Sequence, residues 1–167
     1  MNNHFDWSRF VVRINIDAPA QKLYSSWATS EGMETWFLRL CEYTTKGGKL
    51  LAHPDSASKG DRYKFLWHGW PDETVEFGEI MEANGTDMFK FSFGKAGHCT
   101  VRVLPSGKEQ IVELEQDSIP TDEEGKTLYH IGCKTGWTFY LANLKSMMEG
   151  GIDLRNRDVS LQNMLNS

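Results

Sequence analysis

The chain has 167 residues, with 18 Lys and Arg against 23 Asp and Glu, a net charge of −5. That length holds one hydrophobic core without disulfide or metal staples, and an acidic balance lacking a basic stripe excludes a phosphate-backbone binder, so no nucleic-acid partner is expected. Three cysteines without a close pair (Cys41, Cys99 and Cys133), no N-terminal signal pattern and no apolar run near the ~18 residues of a membrane span predict a single cytoplasmic domain.

The core of that domain is expected over residues 9–151, with a polar tail at 152–167. Phe10-Val11-Val12-Arg13-Ile14-Asn15-Ile16 alternates with period two and reads as a half-buried strand. Asp17-Ala18-Pro19 ends it, and Pro19 suits the start of a helix carrying Leu23 and Trp27 on one face. A second short helix, capped by Thr29 or Ser30, should run to Trp36-Phe37. Cys41–Thr45 and Lys49–Ala52 read as a hairpin about Lys46-Gly47-Gly48. A breaker-rich loop, 53–60, leads to the strand Tyr63–His68, and Thr74–Glu82 forms a longer strand in which Gly78 suggests a bulge. Asn84-Gly85 is a strong hairpin turn into Met88–Phe93. His98–Leu104 and Glu109–Gln116 make a last hairpin, with Cys99, Val101 and Val103 on one face and Val112, Leu114 and Gln116 on one face of the partner.

From about Lys126 to Glu149 the pattern turns helical. Cys133, Trp137, Leu141, Leu144 and Met148 recur at spacings of three and four, one apolar stripe that Gly150-Gly151 brings to an end. Strands in one block with helices at the ends predict an α+β fold with an antiparallel sheet. Only the last helix is long enough to cover the apolar face of that sheet.

Three stretches then carry a resemblance: Ile16-Asp17-Ala18-Pro19 leading through Leu23–Thr29 to Trp36-Phe37; the strand series with Gly78-Glu79-Ile80-Met81-Glu82 at its middle; and Gly136-Trp137, Leu141, Leu144 and Glu149–Arg155. In order and spacing they resemble the START-like (SRPBCC, Bet v 1-like) helix-grip superfamily, in the branch of the C-terminal domain of the activator of Hsp90 ATPase, over about residues 9–155. The resemblance implies a curved sheet wrapped around the C-terminal helix, with two short helices after the first strand and a cavity between sheet and helix. It implies a small apolar or amphipathic ligand there. The alternatives are a chaperone-associated module contacting an Hsp90-type partner through the exposed sheet face or the tail, where Arg155 and Arg157 would test the contact, or a cyclase- or dehydratase-type enzyme.

The aromatic run supplies the expected lining: Trp36, Phe37, Phe65, Trp67, Phe77, Phe91 and Phe93, with Val101, Cys133, Trp137 and Leu141. The competing reading is that these side chains simply fill the core. Glu79 shares a face with Phe77 if Gly78 makes no bulge, and pointing inward it would be a buried carboxylate able to act as acid or base, with His68 as its partner at the pocket mouth. Arg13 and Arg102 fall on the polar side by parity. His130 and Cys133, three apart, could share a metal, but two ligands do not make a site. There is no GxSxG elbow, and no catalytic residue, cofactor or metal is assigned. An exposed edge strand leaves monomer and homodimer both open.

Overall fold

The structure, a computed structural model, describes residues 4–167. Seven strands form one antiparallel sheet: β1 (Phe10–Ile16), β2 (Leu40–Thr44), β3 (Arg62–Leu66), β4 (Val75–Ala83), β5 (Met88–Ser92), β6 (His98–Ser106) and β7 (Glu109–Asp117). Their order is β1-β7-β6-β5-β4-β3-β2, so the chain meanders from β2 to β7 and then returns to pair with β1. The inner face carries the alternate residues the pattern marked, among them Phe89 and Phe91 on β5, Cys99, Val101 and Val103 on β6, and Val112 and Leu114 on β7, all buried. Arg13 and Arg102 lie on the outer face, where both reach Glu113.

Between β1 and β2 lie α1 (Ala20–Ala28) and α2 (Ser30–Trp36). Thr29 separates them: its backbone is extended and its hydroxyl accepts from the Gly32 amide at 2.9 Å, a standard N-cap. Gly32 is obligatory at this corner, because a Cβ there would run into the backbone of Ser25 and Ser26. Trp36 donates its indole N–H to the Ser26 carbonyl at 2.9 Å, and the Tyr43 hydroxyl donates to the Trp27 carbonyl at 2.7 Å.

The last helix, α3 (Gly132–Met148), lies in the curve of the sheet. Trp137, Leu141 and Leu144 on the anticipated stripe are buried, and Tyr140 and Asn143 join them. Its far end is pinned to the end of β1, where Lys145 donates to the Asn15 carbonyl at 2.7 Å and Glu149 accepts from the Asp17 amide at 2.9 Å.

Four local expectations change. Lys49–Ala52 is no strand; after the turn only Leu50 makes a bridge, to Thr44, on the edge of β2 away from its partner β3. Gly78 makes no bulge. It pairs with Tyr63, whose ring lies where a Cβ would stand, at 2.5 Å, so the glycine marks close approach. The register shifts further on, between Ile80 and Glu82. The helix expected from Lys126 opens with a π-helical segment, Gly125–Ile131, before α3 begins. The tail folds back on the body: Asn156 N–H donates to the Asn166 carbonyl, and the Asn166 amide donates to the Leu154 carbonyl, both at 2.7 Å.

Arg155 is the anchor of that tail. Its guanidinium is only 3% exposed and donates to the carbonyls of Glu34, Thr35 and Leu38, the unpaired acceptors at the end of α2. Asp153 holds it from the other side at 2.8–3.2 Å. Asn143, fully buried on α3, donates to the Trp36 carbonyl and to Asp153 and accepts from the Leu154 amide. One polar cluster thus ties α2, α3 and the tail together. Burial opposes ionisation of Asp153, but the hydrogen bonds from Arg155 and Arg157 outweigh it and hold the carboxyl well below its usual range.

Candidate functional site

A cavity of about 930 Å³ opens between the sheet and the start of the last helix. From α3 it takes Cys133, Gly136, Trp137 and Tyr140; from the ends of α2, β3 and β5, Phe37, Trp67 and Phe93; and from the π-helical segment, Leu128 and Tyr129. Leu128 and Trp70 are exposed at the rim, and Ser167 of the returning tail reaches the same rim. The volume lies within the range of small-molecule sites.

The walls are rings in edge-on and tilted contact. Phe37 sits at their centre, 4.8 Å from Tyr140, 4.9 Å from Trp137 and 5.8 Å from Trp67 between ring centroids, and Phe93 lies 5.7 Å from Trp137. Trp137 is fixed in orientation by its indole N–H, which donates to Gln116 Oε1 at 2.9 Å; the Gln116 amide donates in turn to the Ala96 carbonyl at 2.9 Å. Gln116 is fully buried and gives the otherwise apolar interior a satisfied polar hinge.

Two chemical groups stand out in the lining. Glu76 on β4 is paired with Phe65 across the sheet and therefore points to the inner face. Among the described residues its carboxylate makes no hydrogen bond and no ion pair, and burial raises its pKa above the ordinary value. The carboxylate rests against Gly94, where a Cβ would stand 2.5 Å from Oε1; that glycine also has φ +51°. Cys133 is half-buried, and burial pushes its thiol up.

The anticipated lining divides three ways. Phe37, Trp67, Phe93, Cys133 and Trp137 do border the cavity. Trp36, Phe65, Phe91, Val101 and Leu141 are packed out of reach in the solid core, so for these the space-filling reading applies. Phe77 and Glu79 are corrected: with no bulge at Gly78 they share the outer face, and Phe77 is 63% exposed. The inward side of β4 carries Glu76, Gly78 and Ile80 instead. Glu76 and Tyr140 were not anticipated. Cross-strand parity with the aromatic strand β3 was the signal for Glu76, but it is hidden by a phenylalanine outside and a carboxylate inside.

His68 does not border the cavity; it is half-buried near Arg155, and burial followed by the Arg155 and Arg157 charges lowers its pKa. His130 turns from Cys133 towards the N-terminal segment, with Nδ1 3.0 Å from the Trp7 carbonyl and Phe5, Trp7 and Phe10 around its ring. Among the described residues no three His, Cys, Asp or Glu side chains cluster as a metal site, and no helix is long and apolar enough to cross a membrane.

The family model for "Activator of Hsp90 ATPase homolog 1-like protein" matches residues 17–149. The chain belongs to this family. Solved structures of similar fold include the protein SSP2350 from Staphylococcus saprophyticus, 15% identical with a TM-score of 0.68, the match covering 90% of this chain and 98% of that one. The Aha1 dimer from Colwellia psychrerythraea is also 15% identical, with a TM-score of 0.67 and coverage of 86% and 97%. CalU16 from Micromonospora echinospora is 18% identical, with a TM-score of 0.61 and coverage of 87% and 77%. At such identities the likeness is one of fold. No curated protein sequence matches the chain. In this family member the helix-grip sheet and C-terminal helix enclose the cavity described above.

Proposed function

We propose that the protein binds a small amphipathic molecule in the cavity between the sheet and α3. The observation that carries this reading is an open, ring-walled space of about 930 Å³ beside a densely packed aromatic core. A chain that can bury Trp27, Trp36, Phe65 and Phe91 completely has the means to close such a space, and here Gly136 stands on the cavity wall with nothing within 4 Å of its missing side chain.

The alternatives are less well supported. The enzymatic reading named Glu79 and His68 as its acid–base pair, and both fall outside the cavity. The chaperone-contact reading offered the exposed sheet face or the tail, and on the tail Arg155 is committed to the end of α2.

The test is titration with N-phenyl-1-naphthylamine, a neutral probe that fluoresces in apolar sites, on the wild type and on Gly136→Phe. The substituted ring has room to enter the cavity, and replacing a helical glycine favours the helix by up to about 1 kcal/mol. The wild type should bind the probe; the variant should keep its circular dichroism and melting temperature and lose most of that binding. Equal enhancement in both proteins, or none in the wild type, would count against the proposal.

A further inference from the structure

Resting on that reading, we infer that the cavity selects an amphipathic cation: an apolar body with one ammonium head, the head set against the Glu76 carboxylate and the aromatic rings. Glu76 stands on the inner face of β4 opposite the fully buried Phe65, at a place where the neighbouring strands present rings. Glu76 is half-buried, so its carboxylate has given up part of its hydration on an otherwise apolar face, and among the described residues no partner compensates it. It is not left there by crowding, since Gly94 lacks the Cβ that would displace it.

The surroundings suit a cation and not merely any donor. Phe37, Trp67, Phe93, Trp137 and Tyr140 border the cavity, and ring faces attract an ammonium through their quadrupole, most strongly where water is excluded. A carboxylate with several rings around one space is the chemistry that recognises alkylammonium groups. Lys95, on the turn between β5 and β6, is the one positive side chain in the lining; it is exposed and forms no ion pair with Glu76. An anionic ligand would have to use Lys95 and would meet Glu76 as a repulsive neighbour.

Three ten-carbon probes with different heads separate the possibilities by calorimetry below their micelle concentrations: decyltrimethylammonium, decanol and decanoate. Glu76→Gln should weaken decyltrimethylammonium about tenfold and leave decanol within about twofold, while Lys95→Met should leave the cation as tight or tighter. Decanoate should bind the wild type more weakly than decanol and improve in Glu76→Gln. If decanol binds but the cation does not respond to Glu76→Gln, or if decanoate binds best and is lost in Lys95→Met, the inference is overturned while ligand binding stands. If none of the three binds, the proposed function itself fails. Circular dichroism of both variants separates loss of binding from loss of fold.

Discussion

Replacing Arg155 with Ala removes the guanidinium that donates to three carbonyls at the end of α2 and pairs with Asp153. The Arg155 side chain is 3% exposed and Asp153 18%, so neither the carbonyls nor the carboxylate gains full hydration when the arginine is lost. Breaking a buried pair from one side costs roughly 3–5 kcal/mol. Asp153 keeps Arg157 and Asn143, which places the expected loss near the lower figure. For a chain of this size that is roughly 6–12 °C in melting temperature. Urea denaturation gives the free energy directly, and the slope should not change. Arg157→Ala is the control: its side chain is 63% exposed, and it should cost no more than about 1 kcal/mol. The acid limb provides a second reading. Asp153 is held below its ordinary value of 3.8, so its stabilising contribution is present above the unfolded pKa and is lost as pH falls through the folded one. Arg155→Ala should therefore lose less stability than the wild type on acidification below about pH 4. A cost for Arg155→Ala equal to that of Arg157→Ala would refute the reasoning.

Other expectations follow from the same geometry. Phe91→Ala should cost roughly 3–5 kcal/mol in urea melts, as removal of a fully buried ring does, whereas Phe77→Ser should stay within about 0.5 kcal/mol; comparable losses would put the face assignment of β4 in error. Gln116→Leu strands the Trp137 indole N–H and the Ala96 carbonyl, and a loss of roughly 2 kcal/mol or more is expected; an unchanged midpoint would mean water replaces the amide. Under native conditions at pH 8 a disulfide reagent should label Cys133 slowly and spare Cys99 and Cys41, the latter with its thiol pushed up to about 12 by burial; Cys133→Ser should abolish the native signal.

Much of the fold was legible because its elements obey their own periods. β1, β5 and the β6–β7 hairpin alternate cleanly, Thr29 or Ser30 offers a cap for α2, and the spacing from Trp137 to Leu144 announces the buried face of α3. What escaped depends on partners distant in sequence. The Lys49–Ala52 segment has a strand's composition and meets the open edge of β2, but it holds that edge only through the Leu50–Thr44 bridge and leaves it before a ladder forms. On β4 the usual rule is inverted, with Phe77 in solvent and Glu76 inside, so local hydrophobicity misplaces both. Arg155 looks like a tail charge until the end of α2, about 120 residues earlier in the chain, supplies its acceptors. The aromatic residues were known from the sequence, but which of them fill and which border space depends on volume, and a pattern of residues carries no volume.

Ligand binding requires the concave face of the sheet and the wall of α3 to form one receptive space. The six tryptophan indole N–H signals in a nitrogen-correlated NMR spectrum report on it residue by residue. On titration with decanol, Trp67 and Trp137 should shift in a saturable way, while Trp27 and Trp36, sealed in the core, should stay in place. Saturable shifts confined to Trp7, on the opposite side of the last helix, or no saturable shift at all, would contradict it.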